Sequence, residues 1–265
     1  MWSIIRERLR QGYRTTPFPV EQPNLPEEFR GLPIIGSQDC LENCQRCAEE
    51  CPTEVIQIIK QNTDEANGPK QGIQIDLGNC LFCTICQDNC PVEKIKYSRN
   101  HSLAATSRND LMVREKKYPK VKALQEQMRR VFGRSLKLRQ VSAGGCNACE
   151  ADLNVLTTVV FDLSRFGIEF VASPRHADGL IVTGPITRNM EFALMKTYQA
   201  VPAPKFVIAV GACAISGGPF YLSAEQNNGL DQFLPVDLYI PGCPPHPFTI
   251  LDGILRWLEK IKASE

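Results

Sequence analysis

The stretch Cys80-Leu-Phe-Cys83-Thr-Ile-Cys86-Gln-Asp-Asn-Cys90-Pro91 decides the reading of this chain. Thiols at every third residue suit a tight loop that presents three sulfurs to one iron–sulfur cluster, while the fourth, followed by proline, turns away toward a second cluster. Upstream, Cys40-Leu-Glu-Asn-Cys44-Gln-Arg-Cys47-Ala-Glu-Glu-Cys51-Pro52 repeats the run with one extra residue between its first two thiols. The repeat predicts a bulged loop in which Cys40 still serves as a ligand. Crossed ligation then assigns Cys40, Cys44, Cys47 and Cys90 to one cluster and Cys51, Cys80, Cys83 and Cys86 to the other. A short segment containing apolar residues follows each run, at residues 55–59 and 92–95.

Further along lie Cys146, Cys149, Cys213 and Cys243, which bring the total to twelve, three groups of four with none left over. Four thiolates hold one 4Fe–4S cluster, so the expected cofactors are three such clusters. Structural zinc is the alternative for any group of four cysteines, but the close packing of the middle run and its Cys-Pro ending fit zinc poorly. A disulfide framework fits worse, because Arg6, Arg8, Arg10 and Arg14 break any apolar stretch after Met1 that could serve as a secretory signal.

The chain has 265 residues and a formal net charge of +1, unevenly spread. Residues 1–36 carry 5 basic and 4 acidic groups, residues 37–97 carry 5 and 10, residues 98–140 carry 12 and 3, and residues 141–265 carry 8 and 12. At 43% hydrophobic and 22% charged residues the chain can bury a core. The longest charge-free stretch, residues 206–224, spans 19 residues but contains Gly217-Gly218-Pro219, so no bilayer-crossing helix is expected.

Trp2, Ile5 and Leu9, with arginines between them, predict a short basic amphipathic helix that docks on a partner subunit or rests on an anionic membrane. Five prolines between Pro17 and Pro33 predict an extended arm. The basic stretch 101–134 reads as a helical linker, with helix from about 119 to 132 on the spacing of Leu124, Met128, Val131 and Phe132. Nucleic acid is not an expected partner, since the flanks are acidic and there is no aromatic-rich binding module.

Residues 135–265 alternate short apolar segments (136–141, 168–172, 180–182, 206–210 and 238–240) with helical patterns at 151–166, 190–200 and 248–262. That alternation predicts an α/β domain with a doubly wound, flavodoxin-like parallel sheet. Cys146 and Cys149, Cys213 and Cys243 all fall just past predicted strand ends, where open α/β sheets bind ligands. Neighbouring glycines let backbone approach a cluster closely. No glycine-rich phosphate loop follows any strand, so nucleotide binding has no support.

Residues 1–100 resemble the two-cluster ferredoxin subunit of complex I-related assemblies, and residues 37–100 imply an α+β ferredoxin-like domain preceded by the helix and arm of 1–36. The stretches Gly144-Gly-Cys-Asn-Ala-Cys-Glu150, 165–178, 183–188, 211–218 and 235–245 resemble the small subunit of membrane-bound, complex I-related nickel–iron hydrogenases of the formate hydrogenlyase type. The same fold serves as the terminal-cluster subunit of respiratory complex I. In these relatives the two parts are separate polypeptides, so the fusion is a departure, as is the extra residue before Cys44. The resemblance implies an electron-transfer subunit on the cytoplasmic face of the inner membrane. Its partners would be a catalytic large subunit holding the nickel–iron centre, membrane subunits, and a donor or acceptor such as ferredoxin or a formate dehydrogenase subunit. The spacing Cys146-Asn-Ala-Cys149 favours the hydrogenase branch over complex I, whose first two ligands are adjacent. The stretch around Cys213 suits complex I at least as well, which keeps a quinone-reducing assembly as the alternative.

Smaller signals are Glu150, a candidate for proton transfer or for hydrogen bonding beside a cluster, and Arg175 and His176, candidates for tuning its potential or for a packing contact. His101 and His246 stand too far from other chemistry-bearing residues to be read.

Overall fold

In the computed structural model, which describes residues 2–61, 70–115, 118, 121–124 and 126–261, both cysteine runs fold as a loop, one helical turn and a strand. After helix α1 (Trp2–Gln11) and strand β1 (Pro33–Ile35), the first run places Cys47 in α2 (Arg46–Glu49) and continues into β2 (Ile56–Gln61) and β3 (Lys70–Asp76). The second places Cys86 in α3 (Ile85–Asp88) and continues into β4 (Ile95–Tyr97). β1 pairs antiparallel with β4, and β2 with β3, while β5 (Met112–Val113) extends the second sheet along β3. Ile73, Ile75 and Val113 are buried and packed together, the alternation of a half-buried antiparallel sheet.

The basic stretch behaves differently from the expected helical linker. Among the described residues, α4 (Glu126–Phe132) is the α-helix there, and 121–124 have no regular structure; positions 119, 120 and 125 lie outside the described residues. The upstream part is apolar enough to be core: Leu103, Ala104, Ala105, Leu111 and Val113 are buried. Most of its charges lie further along the sequence, from 114 onward.

The remaining strands are β6 (Leu136–Ser142), β7 (Ile168–Phe170), β8 (Gly179–Thr183), β9 (Phe206–Val210) and β10 (Leu238–Ile240), and they form one parallel sheet in the order β10-β9-β8-β6-β7. Counted from β6 this is the doubly wound order 2-1-3-4-5. The helices are α5 (Ala148–Val155), α6 (Arg188–Ala200), α7 (Ala212–Ser216) and α8 (Pro247–Trp257). β9 shows why both faces are covered. Phe206, Ile208 and Val210 enter the core that contains Leu153 of α5 and Ile250 and Ile254 of α8, while Val207 and Ala209 enter the core shared with Leu194 of α6 and Ile215 of α7. That second core runs on into Ile75, Leu77 and Leu111, so the cysteine-rich half packs directly against the sheet.

Two contacts fix this seam. Ala105 and Tyr239 exchange backbone hydrogen bonds of 3.0 and 2.8 Å along the β10 edge. Arg108 forks onto both carboxylate oxygens of Asp76 at 2.7 and 2.6 Å and donates to Ser216 Oγ at 2.9 Å. The proline arm is also held: Phe18 is buried edge-on against Phe248 and His101, and Arg165 donates to the carbonyls of Thr16 and Phe18.

The helix expected over 151–166 begins earlier and ends at Val155. Leu156 is followed by Thr157-Thr158-Val159-Val160, a β-branched run, and the hydroxyls of Thr157 and Thr158 donate back to the carbonyls of Asn154 and Val155. The closing helix ends at Trp257 rather than 262; position 262 lies outside the described residues.

Candidate iron–sulfur sites

Each thiol loop must curl round a small space, and the backbone shows it. Asn43, Phe82, Thr84 and Asn147 stand at φ of 54, 55, 68 and 71°, one left-handed non-glycine residue inside each of four inter-cysteine loops. That conformation turns the chain sharply enough to aim successive sulfurs inward, at a backbone cost that such sites tolerate.

The electrostatics of the thiols report which ones face one another. Cys47 is pushed up to about 11 by burial and then by the nearness of Cys90, Cys40, Cys86 and Cys44. Cys40 is raised by burial, with Cys44 and Cys90 adding to the rise. Cys80 is pushed up to about 12 by burial, with Cys86 and Cys51 adding to the rise, and Cys86 is raised by burial with help from Cys51 and Cys83. Cys51 therefore lies near Cys80 and Cys86 of the later run, and Cys90 near Cys40 and Cys47 of the earlier one. Despite the extra residue after it, Cys40 lies near Cys44, Cys47 and Cys90.

The third group is assembled by topology. β6 leads to Cys146 and to Cys149 in α5, β9 leads to Cys213 in α7, and β10 leads to Cys243. Burial raises Cys149, with Cys213, Glu150, Cys243 and Cys146 contributing; Cys213 is pushed up to about 12 by burial and then by Cys243 and Cys146. Four thiols spread over 98 residues thus meet at one edge of the sheet.

Thiols held up in this way stay protonated unless a positive centre replaces the proton, and iron in a cluster is such a centre. The surroundings fit a cluster. Cys51, Cys80, Cys83 and Cys86 line one small pocket with Val55, Ile75 and Tyr97. At the third group a Cβ on Gly211 would lie 2.6 Å from Cys149 Sγ, and one on Gly218 would lie 2.9 Å from Cys213 Sγ, so glycine is needed where backbone meets sulfur. Among the described residues no three His, Cys, Asp or Glu side chains close onto a single point as the ligands of one metal ion do.

The family model of the NADH ubiquinone oxidoreductase 20 Kd subunit matches residues 146–257, and that of the 4Fe-4S dicluster domain matches residues 35–94. Over 135 residues the chain is 44% identical to a probable membrane-bound hydrogenase subunit, mbhJ, of Pyrococcus furiosus, covering 51% of this chain and 81% of that protein. The chain belongs to this family of oxidoreductase subunits. An NADH-quinone oxidoreductase subunit of Bacteroides thetaiotaomicron is 44% identical over 136 residues, covering 51% of this chain and 68% of that protein. Formate hydrogenlyase subunit 7 of Escherichia coli is 46% identical over 120 residues, and there the match spans 45% of this chain and only 47% of the relative. The chain is thus a 20 Kd-type subunit joined to a 4Fe-4S dicluster domain, with an electron-transfer role.

The smaller residues find places around these groups. Glu150 is buried under the third group; burial alone would raise its carboxyl, but hydrogen bonds from Ser142, Thr183 and its own backbone N–H hold it below the ordinary value. Thr183 Oγ1 donates to it at 2.6 Å. Arg175 and His176 lie exposed in a single turn after β7. His246 caps α8 by accepting from Phe248 N–H, and His101 is buried beside Asp252, so both serve the core of the α/β half.

Two residues escape a reading of the sequence alone. Tyr97 places its hydroxyl 3.6 Å from Cys80 Sγ and 3.7 Å from Cys86 Sγ. Lys94, 2% exposed at its side chain, reaches the first group, where its charge lowers the Cys40 thiol against the effect of burial. Both lie in the segment after Cys90-Pro91, Tyr97 at the end of β4 and Lys94 just before it, an odd spacing that puts side chains of an extended chain on opposite sides.

Proposed function

We propose that this chain is the electron-relaying subunit of a multisubunit, membrane-associated nickel–iron hydrogenase. Residues 37–100 would form a ferredoxin-like two-cluster domain. There Cys40, Cys44, Cys47 and Cys90 hold one 4Fe–4S cluster, and Cys51, Cys80, Cys83 and Cys86 hold a second. In the α/β domain at 135–265, Cys146, Cys149, Cys213 and Cys243 hold a third. Bound there, the clusters supply one-electron transfer.

The observation that carries the reading is the unequal exposure of the groups. Cys146 and Cys243 are exposed, whereas Cys47, Cys80 and Cys86 are buried. An open cluster site at a sheet edge calls for a cover, and the cover expected for this family is a catalytic large subunit. A pocket lined by Arg30, Leu81, Phe82, Gly242 and Cys243 joins the second group's loop to the third, which supports a relay in which the third group comes last. Glu150, ionised and held by Thr183, orients the start of α5 beneath Cys149. The expected position is peripheral, on the cytoplasmic face of the inner membrane; among the described residues no helix is long and apolar enough to cross a membrane.

The Cys146-Asn-Ala-Cys149 spacing favours the hydrogenase terminus. A quinone-reducing, complex I-like terminus is the second reading, because identity to the NADH-quinone oxidoreductase relative is as high as to the hydrogenase one. The test is to purify the native complex, measure its nickel, and assay hydrogen evolution with a low-potential donor. Nickel with hydrogen evolution supports the proposal; a nickel-free complex that reduces quinone overturns it in favour of the second reading.

A further inference from the structure

The two cysteine runs are near-repeats, yet the segment that follows the second run gives their sites different neighbours. Lys94 serves the first group: its backbone N–H donates to Cys90 Sγ at 3.2 Å, and its Nζ is held on the carbonyl of Gln38, two residues before Cys40. Three residues later Tyr97 serves the second group and offers a neutral hydroxyl to Cys80 and Cys86. The corresponding positions after Cys51-Pro52 are Val55 and Ile58, which carry neither charge nor hydroxyl.

Lys94 is an expensive residue to place here. Its side chain is 2% exposed, and a buried ammonium needs compensating partners. It donates to the Gln38 carbonyl at 2.7 Å and pairs with Glu115 Oε1 at 3.2 Å. Glu115 belongs to the basic stretch that lies beyond the dicluster domain, and its side chain is 26% exposed, so it offsets the cation only in part. Gln38 in turn donates to the carbonyls of Val92 and Glu93 at 3.2 and 3.0 Å. The lead into the unusual Cys40–Cys44 loop is therefore fastened to the same segment that carries the ammonium.

A 4Fe–4S cluster with four thiolates becomes more negative when reduced, and net charge and hydrogen bonding at the sulfurs set its potential. A fixed cation in a poorly solvated site favours the more negative state more strongly than a neutral hydroxyl does. We infer that Lys94, trimmed by Glu115, is a positioning residue that raises the reduction potential of the first group's cluster above that of the second. Electrons then rest on the first site rather than on the second, whose Leu81 and Phe82 share a cavity with Cys243 of the third group.

This inference rests on the three-cluster reading, and the test separates the two. The full chain is purified anaerobically in its complex, iron is counted, and the reduced clusters are titrated by electron paramagnetic resonance. Lys94→Met should lower the first cluster's midpoint by at least a tenfold change in its reduction equilibrium, about 59 mV for one electron, while the second cluster's midpoint stays in place. Glu115→Gln, at a partly exposed position, should move the same midpoint upward, and Lys94→Arg should keep it near the parent value. Opposite shifts for Lys94→Met and Glu115→Gln support the inference. Full iron with unmoved midpoints, or loss of the cluster in Lys94→Met together with no shift in Glu115→Gln, overturns it. A parent complex with too little iron for three clusters instead overturns the three-cluster reading.

Discussion

The second and third cysteine groups achieve similar thiol environments by opposite routes. The second is compact in sequence: three of its four thiols fall within seven residues, in a loop whose Cys80 and Cys86 are buried. The third gathers its thiols from the ends of three strands and leaves Cys146 and Cys243 exposed. The first kind of site is closed by its own loop. The second kind depends on the sheet behind it and on whatever covers it in front, so the two should fail differently when perturbed.

The largest expected effect is at the third group. Cys149→Ala removes the thiol that lies against Gly211 and should empty that site alone. Iron in the purified complex should fall from about 12 to about 8 atoms per chain, and electron exchange with the catalytic partner should stop. Retention of all the iron would mean that Cys149 is not a ligand. The next effect tests the crossing within the first half. Cys51→Ala should disturb the resonance signal of the cluster held by Cys80, Cys83 and Cys86, and Cys90→Ala that of the cluster held by Cys40, Cys44 and Cys47. If each replacement disturbs only the cluster of its own run, the crossed arrangement is wrong.

Gly211→Ala probes how far the third group depends on its scaffold. Gly211 stands at φ 89° and ψ 154°, a region open essentially to glycine alone, and its Cβ would strike Cys149 Sγ. The expected cost is about 1–3 kcal/mol of backbone strain, read as a lowered melting temperature together with loss of iron from the third site. Normal iron and an unchanged melt would show that the site relaxes more easily than its geometry suggests.

The contrast also explains what could be read from the sequence. The parallel sheet was legible because strands such as Phe206-Val-Ile-Ala-Val210 are continuous apolar runs, which a sheet buried on both faces requires. The cysteine runs were legible as a 4Fe-4S dicluster domain because their spacing is nearly a geometric statement. The seam was not. Arg108, Asp76 and Ser216 are ordinary polar residues far apart in sequence, and only the fold brings them together. Lys94 stays hidden for a similar reason, since a lysine beside a short strand reads as a solvated charge until its burial is known. The basic stretch misleads because its summed charge hides an apolar segment at its start.

Arg108→Met has a comparable cost but should leave the iron in place. It would leave the part-buried Asp76 without its forked partner and remove the link to Ser216, at a cost of about 2–3 kcal/mol. Because the contact joins the two halves, the loss should appear in calorimetry as an unfolding transition that splits into two steps. A single unshifted transition would mean that the shared apolar core holds the seam unaided.

The smallest effect concerns the arm that precedes both regions. Residues Thr16 and Phe18 lie on the α/β half through Arg165, whereas Gly31 and Leu32 bond to the backbone of Ser98 and Asn100 beside the cysteine-rich half. The arm therefore straps the two halves from outside, independently of Arg108. Arg165→Met removes two charge-assisted hydrogen bonds to carbonyls but leaves Phe18 in its apolar seat against Phe248. Each such bond contributes about 1 kcal/mol when partly exposed, so the fold should lose about 1–2 kcal/mol. Iron content should not change, because the thiol loops lie elsewhere. Limited proteolysis should then cut the arm near residue 16 sooner than in the parent protein. Unchanged cleavage would show that burial of Phe18 alone holds the strap, leaving Arg165 as a surface contact rather than a clamp.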